Sequence, residues 1–280
     1  MPRFTTFDGL GIAYADFGDR SAFPVLCLPG LTRNHADFDC LQPHLLGFRL
    51  IAMTCRGRGD SEHDHDYRNY TVAVESRDAL ALLDHLEIGR AAVIGTSRGG
   101  LMAVHMASVA KQRLAGVLLN DIGPVLEMSG IMTILEYLGR QPAEPDLESL
   151  VETISSRVPG FRNVPRERWR EETLRNVVET AEGLRINYDP RLREAVLATE
   201  VNTDDNWSLF RSLDGLPIAL VRGANSGLLS ADAAAKMRTM RPDMVFAEVP
   251  DRGHCPFLDE PESLAVIRTW LAACQNSDAQ

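Results

Sequence analysis

Residues 91–100 read AAVIGTSRGG, and they carry the clearest indication of how the chain folds. An apolar run, Ala91–Ile94, leads directly into Gly95-Thr96-Ser97-Arg98-Gly99, and an apolar helical segment, Leu101–Ala110, follows. A strand, a sharp turn and a helix in this order lift a serine hydroxyl to a helix N-terminus, where backbone N–H groups favour negative charge. Glycine flanks the serine because larger side chains would clash in so tight a turn. We therefore predict Ser97 as a nucleophile; a glycine-rich turn that serves only packing is the alternative.

Short apolar runs alternate with helical patterns on both sides of this stretch. Such runs, with no polar alternation, are typical of strands buried on both faces of a parallel sheet. Before them, Thr5–Gly18 with its Asp8-Gly9 turn predicts an antiparallel hairpin. The predicted class is α/β, with a mostly parallel, doubly wound sheet. The runs are Val25–Leu28, Leu50–Met53, Ala91–Ile94, Val117–Leu119, Ile218–Val221 and Met244–Val249, and the helical segments are Val72–Leu86, Leu101–Ala110, Ala231–Met240 and Glu262–Ala273.

The alternation stops between Gly123 and Gly215. This region is charged, contains several prolines and is mostly helical in its pattern, with no convincing core strand. We therefore predict a core of residues 1–123 and 216–280 with an inserted helical cap, residues 124–215. An insertion at this point would lie over the carboxyl edge of the sheet, where open α/β sheets bind their ligands.

Composition narrows the class of partner and the compartment. The chain has 280 residues, is 45% hydrophobic and carries a formal net charge of −10. An acidic surface repels nucleic acid and anionic membranes, so we expect a small-molecule substrate and neither of those partners. Five cysteines without a CxxC pair favour a reducing compartment, and the polar stretch Met1–Asp8 does not resemble a secretion signal. We expect a cytoplasmic protein; the oligomeric state does not follow from the sequence.

Two further segments suit nucleophilic chemistry. His254 lies in Arg252-Gly253-His254, after the last predicted strand, where the general base for such a serine belongs in chain order. Leu28-Pro29-Gly30-Leu31 follows the first buried run, and the amide of Leu31 can join the amide of Arg98 to form an oxyanion hole. A structural histidine and a simple proline–glycine strand exit are the alternatives.

With these motifs the chain resembles the α/β-hydrolase fold superfamily over nearly its whole length. The resemblance implies Ser97 as nucleophile and His254 as the general base that takes and later returns its proton. It also implies an enzyme without metal or organic cofactor, in a group that includes esterases, lactonases and C–C bond hydrolases. The matching pieces are Pro29-Gly30-Leu31, Cys55-Arg56-Gly57-Arg58-Gly59-Asp60-Ser61, Gly95–Gly100, Asn120-Asp121-Ile122-Gly123-Pro124 and Arg252-Gly253-His254.

The acid of the expected triad is missing from its usual place. The resemblance implies a carboxylate at Gly227, on the loop after the penultimate strand, but neither Asp nor Glu occurs from Val221 to Ala231. Asp121 follows the run Val117–Leu119, where some members of the family, haloalkane dehalogenases among them, carry their acid. We predict that Asp121 orients His254; a hinge or capping residue is the alternative.

Other polar residues have simpler interpretations. Asp251 is close to His254 in sequence but is expected to shape its loop, and Asp232 is expected at a helix N-terminus. The cluster His63-Asp64-His65-Asp66 could bind a metal. No distant group of ligand residues accompanies it, however, so a solvated loop is the simpler interpretation. Cys255 adjoins His254, and its side chain should point away from the site.

The predicted reaction is acyl transfer to water through an acyl-enzyme on Ser97. The substrate would be a small carboxylic ester, thioester or lactone held under the cap. C–C bond hydrolysis or perhydrolysis at the same site is a near alternative. A non-catalytic ligand receptor is a separate hypothesis, which Gly227 favours because it leaves the triad without its usual acid.

Overall fold

The computed structural model describes residues 1–198 and 206–278, and their main feature is an eight-stranded sheet. Its strands are β1 (Arg3–Thr5), β2 (Gly11–Phe17), β3 (Phe23–Leu28), β4 (Phe48–Met53), β5 (Ala91–Thr96), β6 (Leu114–Asn120), β9 (Ile218–Gly223) and β10 (Val245–Val249); a separate pair is β7 (Val177–Thr180) and β8 (Gly183–Ile186). The order is β1-β2-β4-β3-β5-β6-β9-β10, antiparallel as far as β4 and parallel beyond it. The predicted N-terminal hairpin and mostly parallel sheet are confirmed.

Helices connect the parallel strands. They are α1 (Val72–His85), α2 (Arg98–Ala110), α3 (Met128–Tyr137), α4 (Leu147–Arg157), α5 (Arg166–Leu174), α6 (Leu192–Ala198), α7 (Trp207–Phe210), α8 (Ala231–Met240) and α9 (Pro261–Asp278), with a 3₁₀ segment at His35–His44. Helix α2 begins at Arg98, three residues before the predicted start, so Ser97 is its N-cap residue. In the described ranges, no helix is both long enough and apolar enough to cross a membrane.

The sheet is doubly wound because helices cover both of its faces. On β3, Leu26 packs into the core that contains α1, α2 and α8, whereas Val25 and Cys27 face the core built with α9. Successive strand residues point to opposite faces. Runs inside the sheet, such as Val25–Leu28 and Ala91–Ile94, are therefore apolar at every position, whereas Met244–Val249 on the edge strand β10 includes the exposed Glu248.

Between β6 and β9 the chain leaves the sheet and forms α3 to α7 and the β7–β8 hairpin. This segment has an apolar cluster of its own, which includes Val151 and Trp169. The hairpin was not predicted: its strands have four residues each, and only Val177 and Leu184 are buried on them. The pattern was therefore too short and too polar to distinguish from a loop or a helix. That the segment is a cap with limits at 124 and 215 stays a prediction.

Candidate active site

Ser97 occupies a strained turn between β5 and α2. Its φ of 50° and ψ of −115° lie in a region that residues other than glycine rarely adopt. Glycines allow the close packing around it. A Cβ at Gly95 would lie 2.5 Å from the Gly99 oxygen, and one at Gly99 would overlap the carbonyl of Leu28 at the end of β3. The turn therefore presents the serine at the N-terminus of α2, directly beside the loop that follows β3.

His254 reaches Ser97 from the loop that follows β10. Its Nε2 lies 2.9 Å from Ser97 Oγ, and its side chain is only 19% exposed. Gly253 allows this loop to fold closely, because a Cβ there would overlap the carbonyl of Pro159. The ring is in hydrogen-bond reach of the serine hydroxyl, which is the geometry that a general base requires.

Asp121 contacts the other nitrogen of the same ring. Its Oδ2 lies 2.7 Å from His254 Nδ1, and the residue is fully buried. The Gly223 amide donates to Asp121 Oδ1 at 2.9 Å, and the Ser226 hydroxyl donates to Oδ2 at 2.6 Å. Asp121 has a positive φ of 56°, so the chain turns sharply as it leaves β6 and directs the carboxylate towards the histidine. The structure thus brings Ser97, His254 and Asp121 into one hydrogen-bonded row.

Ser226 is a site residue that sequence reasoning missed. Besides contacting Asp121, its oxygen accepts hydrogen bonds from the amides of Leu228 at 3.2 Å and Leu229 at 3.1 Å. It belongs to the loop after β9, next to the position where a carboxylate was expected. A Cβ at Gly227 would have no atom within 4 Å, so that residue faces open space rather than the buried Asp121. The one hint in the sequence was that a serine stands next to Gly227, where the resemblance implied a carboxylate.

The turn after β3 lies against the serine. A Cβ on Gly30 would be 3.9 Å from Ser97 Cβ, and the Arg33 amide donates to the Gly30 carbonyl at 3.2 Å. The Leu31 carbonyl accepts a hydrogen bond from Arg58 Nε at 2.8 Å. Leu31 and Arg98, the two predicted amide donors, therefore sit in segments that flank Ser97.

The other polar residues considered from the sequence have different partners or positions in the structure. Asp251 accepts a hydrogen bond from Asn163 at 2.7 Å, and Asp232 lies in the first turn of α8. Asp64 binds Arg56 at 2.6 Å, and among residues 1–198 and 206–278 there is no cluster of side chains suited to a metal ion. Burial raises the pKa of the Cys255 thiol, which disfavours its thiolate and hence nucleophilic attack.

The segment between β6 and β9 contacts the loops around this site. Glu172 on α5 forms an ion pair with Arg33, three residues after Gly30. Phe161 packs on Phe257, just after His254, with ring centroids 5.4 Å apart.

Comparisons with known proteins identify relatives of this chain. Residues 24–261 match the family model of the alpha/beta hydrolase fold. A 3-hydroxybutyrate-oligomer hydrolase from Cupriavidus necator is 32% identical over 91% of this chain and 90% of its own length. A 2-(acetamidomethylene)succinate hydrolase from Mesorhizobium japonicum is 28% identical over 89% of this chain and 88% of its own. The crystal structure of an alpha/beta hydrolase from Novosphingobium aromaticivorans superposes with a TM-score of 0.89 at 36% identity and covers 97% of both chains.

Proposed function

The chain belongs to the alpha/beta hydrolase fold family, and we propose that it is a serine hydrolase of small carboxylic esters. One observation carries the proposal: an unbroken row of hydrogen bonds runs from Ser226 through Asp121 and His254 to Ser97. In this row each group has the partner that nucleophilic catalysis requires. The base reaches the nucleophile, and a third group orients the base.

The reaction follows from these contacts. Ser97 Oγ attacks the ester carbonyl while His254 Nε2 takes its proton, and the buried carboxylate of Asp121 stabilises the imidazolium that forms. The amides of Leu31 and Arg98 receive the developing oxyanion at the N-terminus of α2. His254 then protonates the leaving alcohol, and a water molecule that it activates releases the acid from Ser97. Thioesters and lactones would follow the same course.

The substrate class is narrowed by the relative from Cupriavidus necator. That protein is named a hydrolase of 3-hydroxybutyrate oligomers, and each bond between units of such an oligomer is a carboxylic ester. We therefore place short hydroxyalkanoate esters first among the substrates. Residues 124–215 would act as the cap over them, which agrees with the contacts that Glu172 and Phe161 make beside the site.

The receptor hypothesis depended on the absence of an acid at Gly227. Asp121 supplies a carboxylate at 2.7 Å from His254, so this argument for a disabled site no longer applies. What remains of the hypothesis is testable by turnover, because a receptor would bind an ester without hydrolysing it.

The test is hydrolysis of p-nitrophenyl acetate, p-nitrophenyl butyrate and the dimer and trimer of 3-hydroxybutyrate by the native protein and Ser97→Ala. We expect turnover of the esters and a loss of about 10⁵-fold or more in kcat for Ser97→Ala, with an unchanged unfolding temperature. Absence of turnover on every ester by the native protein would contradict the proposal and turn attention to C–C bond hydrolysis, perhydrolysis or ligand binding. Turnover that survives in Ser97→Ala would contradict the assigned nucleophile.

A further inference from the structure

Glu75 on α1 is a fully buried carboxylate that the proposed reaction does not use. Its two oxygens bind two different arginines. Oε1 accepts from Arg58 Nη1 at 2.5 Å, and Oε2 accepts from Arg98 Nε at 2.5 Å. Arg58 is fully buried too, and the side chain of Arg98 is 13% exposed. Removing three charged groups from water costs free energy, so their arrangement requires a reason beyond stability.

Each of these arginines is tied to one half of the proposed oxyanion hole. Arg58 Nε donates to the backbone carbonyl of Leu31 at 2.8 Å. Arg98 is itself the residue after the nucleophile, and its Nη2 donates to the Tyr70 carbonyl at 2.8 Å. A continuous path of charge-assisted hydrogen bonds therefore runs from Leu31 through Arg58 and Glu75 to Arg98. It joins the loop after β3 to the first residue of α2 by a route that does not pass through Ser97.

We propose that Glu75 is a positioning residue that sets the distance and orientation of the two oxyanion-hole amides through Arg58 and Arg98. The inference rests on the proposed function, because it assigns a role to Glu75 only if Leu31 and Arg98 bind an oxyanion. Backbone donors stabilise a transition state only when they are held at about 2.7–3.1 Å from the oxygen that develops charge. Two separate loops supply these donors, so a rigid link between the loops preserves that geometry.

The charge of Glu75 is essential to this role. Burial raises the pKa of its carboxyl, but the charges of Arg58 and Arg98 outweigh this effect and bring the pKa below its usual value, so the group is ionised at neutral pH. A neutral amide at position 75 could still donate or accept one hydrogen bond. It would, however, leave two guanidinium groups close together in a buried place without their common anion, and they would repel each other.

The chain contains a matched control on the same helix. Asp78 lies one turn after Glu75, is equally buried and binds the buried Arg56 through two hydrogen bonds of 2.7 Å. Among the hydrogen bonds of the described residues, the side chains of Arg56 and Asp78 make none to Leu31, Arg58 or Arg98; the one link is the Arg56 backbone carbonyl, which accepts from Arg58 Nη1 at 2.5 Å. Asp78→Asn therefore removes a buried charge of the same kind without touching the oxyanion segments.

The experiment compares Glu75→Gln, Glu75→Asp and Asp78→Asn with the native enzyme. kcat and KM for p-nitrophenyl acetate are measured together with inhibition by an aryl trifluoromethyl ketone. In the ketone adduct the Ser97 oxygen bonds to the carbonyl carbon, the serine proton passes to His254 and the ketone oxygen becomes the oxyanion. The adduct therefore reports on the oxyanion hole, whereas KM reports mainly on binding of the uncharged ester.

We expect Glu75→Gln to lower kcat by about 10- to 100-fold while KM changes by less than about threefold. The inhibition constant of the ketone should rise by a factor similar to the fall in kcat. Asp78→Asn should lose thermal stability but keep kcat within about twofold, and Glu75→Asp should recover part of the loss. If Glu75→Gln does not fold, Arg98→Lys at the less buried end of the path provides the same comparison.

Three results would overturn the inference. The first is that kcat and the affinity for the ketone stay native in folded Glu75→Gln and Arg98→Lys. The second is that kcat falls equally in Asp78→Asn, which would indicate a general effect of buried charge. The third is a native protein without Ser97-dependent turnover. That result is distinguishable from the first two because it removes the proposed function itself.

Discussion

Two loops at the carboxyl edge of the sheet differ in an instructive way. The loop after β6 carries Asp121, which is fully buried and bound to His254, whereas the loop after β9 was expected to carry the acid and has none from Gly223 to Ser230. The later loop nevertheless contributes to the site. The amide of Gly223 and the hydroxyl of Ser226 are both hydrogen-bonded to the carboxylate of Asp121.

The two loops differ in which strand carries the carboxylate, but both contribute atoms at the same position beside His254. In the proposed mechanism His254 needs a carboxylate next to Nδ1, and β6 and β9, which are neighbours in the sheet, both end close to Asp121. Here the carboxylate follows β6, and the last residue of β9 together with the loop after β9 supplies the donors that hold it.

The largest expected effect comes from removing the charge on the β6 loop. Asp121→Asn should lower kcat for p-nitrophenyl acetate by about 10³- to 10⁴-fold, because the imidazolium loses its stabilising anion and the ring can adopt the wrong tautomer. Steady-state kinetics on folded protein provides the measurement. Asp251→Asn is the control, since Asp251 lies near His254 in sequence but binds Asn163, and its activity should stay within about twofold of native. A native rate in Asp121→Asn would place the acid elsewhere.

A smaller effect is expected on the β9 loop. Ser226→Ala removes the 2.6 Å hydrogen bond to Asp121 and leaves the carboxylate with the Gly223 amide and His254. A hydrogen bond to a charged group is worth about 1.5–3 kcal/mol, so a fall in kcat of about tenfold or somewhat more is expected. Ser230→Ala, which removes only the N-cap contact of α8 to the Ala233 amide, should lower stability without this fall. Equal kinetics of the two variants would show that Ser226 does not support the acid.

The smallest effect is expected where the family pattern would put the carboxylate. Gly227→Asp should leave native kcat within about twofold, and in the Asp121→Asn background it should restore less than about threefold. The reason is that position 227 faces open space, whereas the Asp121 carboxylate is buried against His254. A recovery of a hundredfold in the double variant would show instead that the two loops are interchangeable.

Much of the sheet could be predicted because its strands are buried on both faces. Runs such as Ala91–Ile94 lie within β5, and Ala231–Met240 coincides with α8. The segment between β6 and β9 was harder to predict, because its short strands bury only one side chain each. Its helical pattern was visible, but the β7–β8 hairpin was not.

Some site residues could be recognised from the sequence around them, and others could not. Ser97 sits in a motif with its own strand and helix, and the expectation that Asp121 orients a histidine came from the resemblance to family members that carry their acid after the corresponding strand. Glu75 had no comparable signal, and Ser226 had only its place beside the expected acid position, because the partners of both residues lie far away in sequence and only the folded sheet brings them together. A hydroxyl or a carboxylate on a helix has too many ordinary explanations to be singled out beforehand.

In the proposed site Ser97 is the nucleophile and Asp121 activates it through His254. Both roles can be tested together by labelling with a fluorophosphonate, followed by peptide mass spectrometry of the native protein, Ser97→Ala and Asp121→Asn. We expect a single adduct on the peptide that contains Ser97, none in Ser97→Ala, and labelling of Asp121→Asn that is slower by at least a hundredfold. An adduct on another residue, or equal labelling rates of the native protein and Asp121→Asn, would contradict these roles.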